Sequence, residues 1–264
     1  MNAMIESPSN PRIKELVKLR ESSRRRKERG VFFVEGGDDL IALARAGRKV
    51  QEVYICTVLP TRSCAEDQLA ELRAMGIPVT ETSSSAHAKA SYRAGGHEMI
   101  GVVESWTLEI TDDLFEKNRP LVVLDEVEKP GNLGAILRSV EAFGGAGVLL
   151  SDPALDYFNP NVVRSSRGLM GHVPLAAGSK VEVLGWLQKS GRKIFATSSR
   201  AKGILGNEKI PEGAAFLFGS EKIGLGEYWQ NEKMEWLRIS MMGTASSLNL
   251  NVSVGCLLYE YNRQ

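Results

Sequence analysis

Three glycine-punctuated stretches in the second half of the chain gather residue types that can align a polar ligand and manage a proton. LDEVEKPGNLGAILRSVEAFG (124–144) ends an apolar run and turns at Lys129-Pro130-Gly131. It then enters helical spacing, with Asn132 at the start and Arg138 further along, in line with Gly134, Ala135 and Ala142. FLFGSEKIGLG (216–226) ends another apolar run in Gly219 and sets Glu221 two residues on. RISMMGTASSLNLNVSVGCLLYE (238–260) groups Ser246, Ser247, Asn249 and Asn251 ahead of an apolar helical pattern. Amides, a carboxylate, hydroxyls and a guanidinium suit the alignment of reactants and the stabilisation of developing negative charge. Each also has a plainer use: Ser and Asn cap helices, Glu221 can cap a turn, and Arg138 can be one more solvated helix arginine. Two amides and two hydroxyls within a few residues are more than one cap needs.

The elements that must position these stretches alternate. Asn10-Pro11 starts a helix, with Ile13, Leu16 and Val17 on one side. VFFVEG (31–36), VQEVYIC (50–56) and IPVTET (77–82) read as strands; DDLIALARAG (38–47) and AEDQLAELRAMG (65–76) read as helices. Regularity fades between Ser105 and Pro120, which places a linker at 106–119 between domains 1–105 and 120–264. Beyond it come strand LVVLD (121–125), a helix from 132 to 143, strand GVLLS (147–151), a loop and helix 181–190. Strands KIFATS (193–198) and AAFLFG (214–219) follow, then a helix that ends near Tyr261. Short, continuously apolar strands separated by helices predict an α/β fold with a parallel sheet covered on both faces.

Composition sets the limits. Of 264 residues, 43% are hydrophobic and 25% charged, which excludes a disordered chain. Cys56, Cys64 and Cys256 form no C-x-x-C pair, and this argues against disulfides or a structural zinc and for a reducing, cytoplasmic setting. The opening run lacks the apolar core of a signal peptide, and the uncharged stretch 239–259 is too rich in Ser, Thr and Asn to span a membrane. There is no G-x-G-x-x-G after the first strand, no Walker A loop and no H-E-x-x-H, and His87 and His97 have no ligand-spaced partners, so no metal is expected; His172, beside Gly171, could touch a ligand but is not counted among the site residues. The net charge of +1 conceals a split, for residues 1–30 carry nine Lys/Arg against four Glu. That basic segment, with Arg24, Arg25 and Arg26, suits a polyanion on one face or, more plainly, a solvated helix.

Taken together and in this order, the three stretches resemble the motifs of the SpoU/TrmH family of RNA ribose 2′-O-methyltransferases, within the knotted (SPOUT) methyltransferases. SPSNPRIKELVKLR and FFVEG are similar to the opening of members with an N-terminal substrate-binding domain related to ribosomal protein L30e. The resemblance implies an L30e-like domain followed by a parallel-sheet domain with a deep trefoil knot, S-adenosylmethionine as methyl donor, and a homodimer packed through the knotted domains. It implies a catalytic pocket of Asn132, Arg138, Glu221, Ser247 and Asn249, with Thr197, Gly219, Ile239 and Leu248 at the donor. Asn251 competes with Asn249 for the third-motif role. Arg138 is either a base or, as its donor-only guanidinium favours, a phosphate clamp. Arg24, Arg25, Arg26, Arg164 and Arg167 are the expected RNA contacts. The expected substrate is 23S ribosomal RNA, with transfer RNA or a non-catalytic RNA-binding factor of the same fold as alternatives.

Overall fold

The structure, a computed structural model, describes residues 4–57, 65–93, 96–230, 232 and 234–264. Cys64 lies outside them. The chain divides into two compact units: one runs up to Trp106 and includes Asp156–His172, and the other holds Thr107–Leu155 and Val173–Gln264.

In the first unit, helix α1 (Pro11–Glu21) begins where Asn10 accepts the Arg12 N–H, and it buries Ile13, Leu16 and Leu19. Ser22 ends α1 and caps α2 (Ser23–Arg29), which stops at Gly30 in a left-handed conformation. β1 (Val31–Glu35), α3 (Gly37–Arg45), β2 (Val50–Ile55), α4 (Ala65–Ala74) and β3 (Val79–Glu81) follow the apolar spacing. Two further elements are not announced by that spacing: α5 (Ser84–Ala90) and β4 (Met99–Glu104). β4 lies between β1 and β2, antiparallel to both, while β2 and β3 run parallel, so this sheet is mixed.

The linker read at 106–119 does not separate the units alone. Asp156–His172 packs with the first unit, although the sequence places it inside the second domain. Its Tyr157 and Phe158 join Phe32 and Trp106 in an aromatic cluster with centroids 4.9–5.9 Å apart, edge-to-face except for the tilted Phe32–Phe158 pair. The segment also holds a helix, α6 (Pro160–Ser166), which packs on β1 and which the sequence reading takes for a loop. A Cβ on Gly168 would stand 2.6 Å from the Asp39 carbonyl oxygen, so only glycine lets this turn seat against α3.

The second unit is a parallel sheet covered on both faces. Its elements are β5 (Leu121–Asp125), α7 (Pro130–Ala142), β6 (Gly147–Ser151), β7 (Leu175–Gly178), α8 (Lys180–Ser190), β8 (Ile194–Thr197), β9 (Gly203–Ile204), β10 (Ala215–Phe218), α9 (Glu227–Gln230), β11 (Glu235–Arg238) and α10 (Leu250–Tyr261). The strand order is β7-β6-β5-β10-β8-β11-β9, and every pairing is parallel. Alternate residues such as Leu121, Val123 and Leu217 pack with Trp186 and Leu187 of α8. On the other face Phe216 meets Tyr261 of α10, and α10 packs along α7. No helix among the described residues is long and apolar enough to cross a membrane.

Candidate functional site

Parallel register brings the carboxyl ends of β5, β10, β8 and β11 to one edge of the sheet: Leu124 pairs with Phe218, Leu217 with Ala196, and Thr197 with Leu237. Open α/β sheets bind ligands beyond that edge. There the chain forms a cleft of about 1270 Å³, lined by the loops after β8, β10 and β11 and by the start of α10.

The loop after β10 is shaped by its glycines. A Cβ on Gly219 would lie 2.0 Å from the Gly224 carbonyl carbon, so the backbone folds back on itself at a distance only glycine allows. Ser220 and Gly224 exchange backbone hydrogen bonds of 2.9 and 3.2 Å across this turn. Glu221, within the turn, is thereby aimed at the loop after β5.

Glu221 is engaged at both carboxylate oxygens. Lys129 forms an ion pair with Oε2, and Asn132 donates its Nδ2–H to Oε1. Asn132 Oδ1 accepts from Asn249 Nδ2 at 3.3 Å, and Asn249 Oδ1 accepts the Asn251 N–H at 3.0 Å as the cap of α10. The amide orientations follow from one another. Because Asn249 Oδ1 faces a backbone donor, its nitrogen must face Asn132 Oδ1, and the Asn132 nitrogen is left for the carboxylate. Each amide has a second N–H not used in this chain of bonds.

A second crossing pair reinforces the junction: Lys222 meets Glu128 at 2.9 Å, and the ammonium pKa is raised by that hydrogen bond. Behind the loop, Lys180 pairs with Glu126 and lies 3.8 and 3.9 Å from Asp125 and Asp152. Asp125 is 2% exposed, and burial raises its pKa against the hydrogen bond from Ser151.

Asn132, Glu221 and Asn249, then, are brought together from three loops. Ser247 lines the same cleft, exposed, as do Gly219, Ile239, Leu248 and Thr197. The Thr197 hydroxyl is committed to the Leu217 carbonyl at 3.0 Å, so its backbone and methyl are what it offers. Arg138 is not part of the cleft lining. It is exposed on α7, and its side chain makes no hydrogen bond or ion pair with any described residue. Asn251 turns away to accept from Ser139 Oγ at 2.9 Å, bracing α10 against α7. Sequence reasoning overlooked Lys129, whose signal was its place just before the helix that carries Asn132. Among the described residues no three His, Cys, Asp or Glu side chains gather as metal ligands.

The expected RNA contacts divide differently. Arg26 is 4% exposed; it donates to the Leu19 and Arg20 carbonyls and pairs with Asp156 at 2.5 Å. It is a structural arginine, and its burial removes it from an RNA-facing set. Arg25 is held by both oxygens of Glu15 at 2.8 Å, and that hydrogen bonding raises its pKa. Arg24 is exposed, with Glu28 beside it at 2.8 Å. Arg164 and Arg167 are exposed; among the described residues the Arg164 side chain is tethered only to Asn161, and the Arg167 side chain makes no hydrogen bond or ion pair.

Residues 119–259 match the model of the SpoU rRNA methylase family, and residues 10–101 match that of an MRM3-like substrate-binding domain. The chain is 27% identical to a 23S rRNA (adenosine(1067)-2′-O)-methyltransferase of Streptomyces laurentii, covering 99% of this chain and 96% of that one. An AdoMet-bound rRNA methyltransferase from Sinorhizobium meliloti aligns at a TM-score of 0.87 and 26% identity, covering 99% and 97% of the two chains. An RNA 2′-O ribose methyltransferase structure aligns at 0.87 and 29% identity, covering 99% of each.

Proposed function

The chain belongs to the SpoU rRNA methylase family, and from that premise we propose that it methylates a ribose 2′-hydroxyl of 23S ribosomal RNA with S-adenosylmethionine. The observation that carries this reading is the hydrogen-bonded line Glu221–Asn132–Asn249, drawn from three loops to the mouth of one cleft.

The cleft suits the donor. Its walls pair apolar side chains, Ile239, Leu248 and Leu257, with the backbone of the glycine turn at 219–224. When bound, S-adenosylmethionine supplies an electrophilic methyl group, so the chain's own task is to align the hydroxyl and stabilise its developing charge. Glu221, fixed by Lys129, holds Asn132, and Asn132 holds Asn249. The unused N–H of each amide is then available to the ribose oxygens. Asn249, rather than Asn251, fills this role because Asn251 is occupied by Ser139. Ser247 offers a hydroxyl beside them. Arg138, whose side chain is unpaired among the described residues, clamps the adjacent phosphate bidentately; a guanidinium carries only donors and is not the base.

Two further parts of the reading have support in the fold. Gln264 bonds to the Ile210 N–H and the Glu208 carbonyl, and Tyr261 accepts from the Gly213 N–H, so residues 208–213 lie across the end of α10, as a trefoil knot requires. The exposed stripe Val252, Cys256 and Tyr259 on α10 suits a homodimer through this unit. The first unit is the L30e-like RNA-binding part, where Arg24, Arg164 and Arg167 meet phosphates, and the setting is the cytoplasm.

The test is methyl transfer from labelled donor to total RNA, followed by mapping of the 2′-O-methyl groups lost when the gene is deleted. A missing mark in 23S RNA is expected. Loss from transfer RNA instead would reassign the substrate, and no transfer to any RNA would leave a binding factor. Arg138→Lys is expected to lose most activity at normal donor affinity; full activity with normal RNA affinity would remove the bidentate clamp.

A further inference from the structure

The FFVEG stretch has no place in the function proposed above. Its Glu35 ends β1 and is 7% exposed. Oε1 accepts the Tyr92 N–H at 3.0 Å, while Oε2 is buried and has no hydrogen-bond partner among the described residues. Buried polar atoms in native proteins are paired with few exceptions, and a carboxylate oxygen without a donor marks a place where one is missing.

Glu35 also lines a narrow cavity of about 10 Å³, together with Phe33, Tyr92, Pro160, Val163 and Arg164, all within the first unit. The space holds one group the size of a water molecule. Three walls are apolar. The other two are exposed: Tyr92 is 43% exposed, and the Arg164 side chain is tethered among the described residues only to Asn161 at 2.6 Å.

We propose that this is a base-reading site, in which Glu35 accepts a hydrogen bond from the exocyclic amino group of an unpaired adenine, cytosine or guanine. The proposal rests on the chain's being an RNA enzyme. The chemistry is selective on three counts. A carboxylate oxygen in an apolar slot accepts from an amino group and repels the carbonyl that uracil presents at the same edge. The exposed Tyr92 ring offers a stacking face for the splayed base, and the Arg164 guanidinium offers a phosphate contact. Phosphate and carboxylate ligands are excluded by Glu35 itself. Among the described residues no three His, Cys, Asp or Glu side chains gather to hold a cation.

The test measures binding of the full chain to oligocytidylate, oligoadenylate and oligouridylate of equal length, by fluorescence anisotropy. The wild type is expected to bind the first two about tenfold more tightly than the third. Glu35→Gln keeps the size and the acceptor for Tyr92 but turns a donor into the slot, so the preference should vanish or invert. Tyr92→Ala changes only an exposed ring and should lower affinity for the amino-bearing strands about tenfold, which keeps the test decisive if Glu35→Gln fails to fold. Equal wild-type affinity for all three, an unchanged preference in Glu35→Gln, or no loss in Tyr92→Ala overturns the proposal and leaves a site for a trapped water. Methyl transfer to total RNA is run alongside. A wild type that methylates without base preference overturns this pocket alone, whereas one that neither binds nor methylates overturns the functional reading.

Discussion

Two charge-rich regions of this molecule use similar residues to opposite ends. In α2, three consecutive arginines face three different fates within one turn: Arg24 stands in solvent, Arg25 is clasped by Glu15, and Arg26 is buried on Asp156. At the carboxyl edge of the parallel sheet, Lys129, Glu221, Asn132 and Asn249 are joined in one line, yet donors remain to spare at a cleft. The first region resembles an RNA-binding patch when charges are counted and is largely structural scaffolding. The second is nearly neutral by count and holds the candidate chemistry. What separates them is the position of each charge relative to a strand end or helix start, which fixes whether its hydrogen-bonding capacity is consumed internally.

Arg26→Ala puts the sharpest strain on that contrast. It leaves Asp156 and two carbonyl oxygens without their donor, and breaking a buried pair costs about 3–5 kcal/mol. Urea unfolding should show a loss of that order, with no change in the salt dependence of RNA binding. Normal stability with a flatter salt dependence would restore Arg26 to the RNA face.

Asn132→Ala is the matching change in the second region. Removal of a preorganised donor costs catalysis about 10²–10³-fold in kcat, while stability should move by less than about 1 kcal/mol because the residue is only half-buried. Single-turnover methyl transfer with donor binding by calorimetry separates the two effects. If donor affinity falls with the rate, Asn132 shapes the donor cleft rather than the acceptor.

Asp39 gives the comparison a pH axis. Burial pushes its carboxyl up to about 7, opposed by Arg167 and Arg93. A folded-state pKa above the unfolded 3.8 means that its contribution is complete below pH 3.8 and is lost as pH rises through about 7. A shift of about three units corresponds to at most ~4 kcal/mol, since each unit is ~1.4. Asp39→Asn should therefore raise the melting temperature at pH 8 and leave it unchanged near pH 3.8. Equal effects at both would show that the arginines already neutralise the carboxylate.

The sequence carried the second unit further than the first, for physical reasons. Continuous apolar runs such as LVVLD and AFLF need two covered faces, so the parallel sheet was legible; the glycines of FGSEKIG mark a backbone contact that only glycine permits. β4 was hidden because Gly101 interrupts a strand whose neighbours lie far away in sequence. Tyr157 and Phe158, set among turn residues, gave no sign that their segment completes the first unit's aromatic cluster. Arg26 and Lys129 were illegible for a shared reason: a long charged side chain takes its partner from another element, and spacing along one element does not name it.

The smallest expected effect falls on the arginine that charge counting makes most conspicuous. Arg24 is 88% exposed at its side chain and meets only Glu28, a helix pair of the kind that contributes a few tenths of a kcal/mol. Arg24→Ala should leave unfolding free energy within about 0.5 kcal/mol of the wild type. Its RNA contribution is a single phosphate contact at most, which lowers the slope of log affinity against log salt by about 1. Arg167→Ala, at an exposed guanidinium with no side-chain hydrogen bond or ion pair among the described residues, should lower it by a similar amount. A double variant that lowers the slope by about 2 places both arginines on one RNA track. A slope that falls only with Arg167→Ala assigns the electrostatic contact to the Asp156–His172 segment and leaves α2 as scaffold.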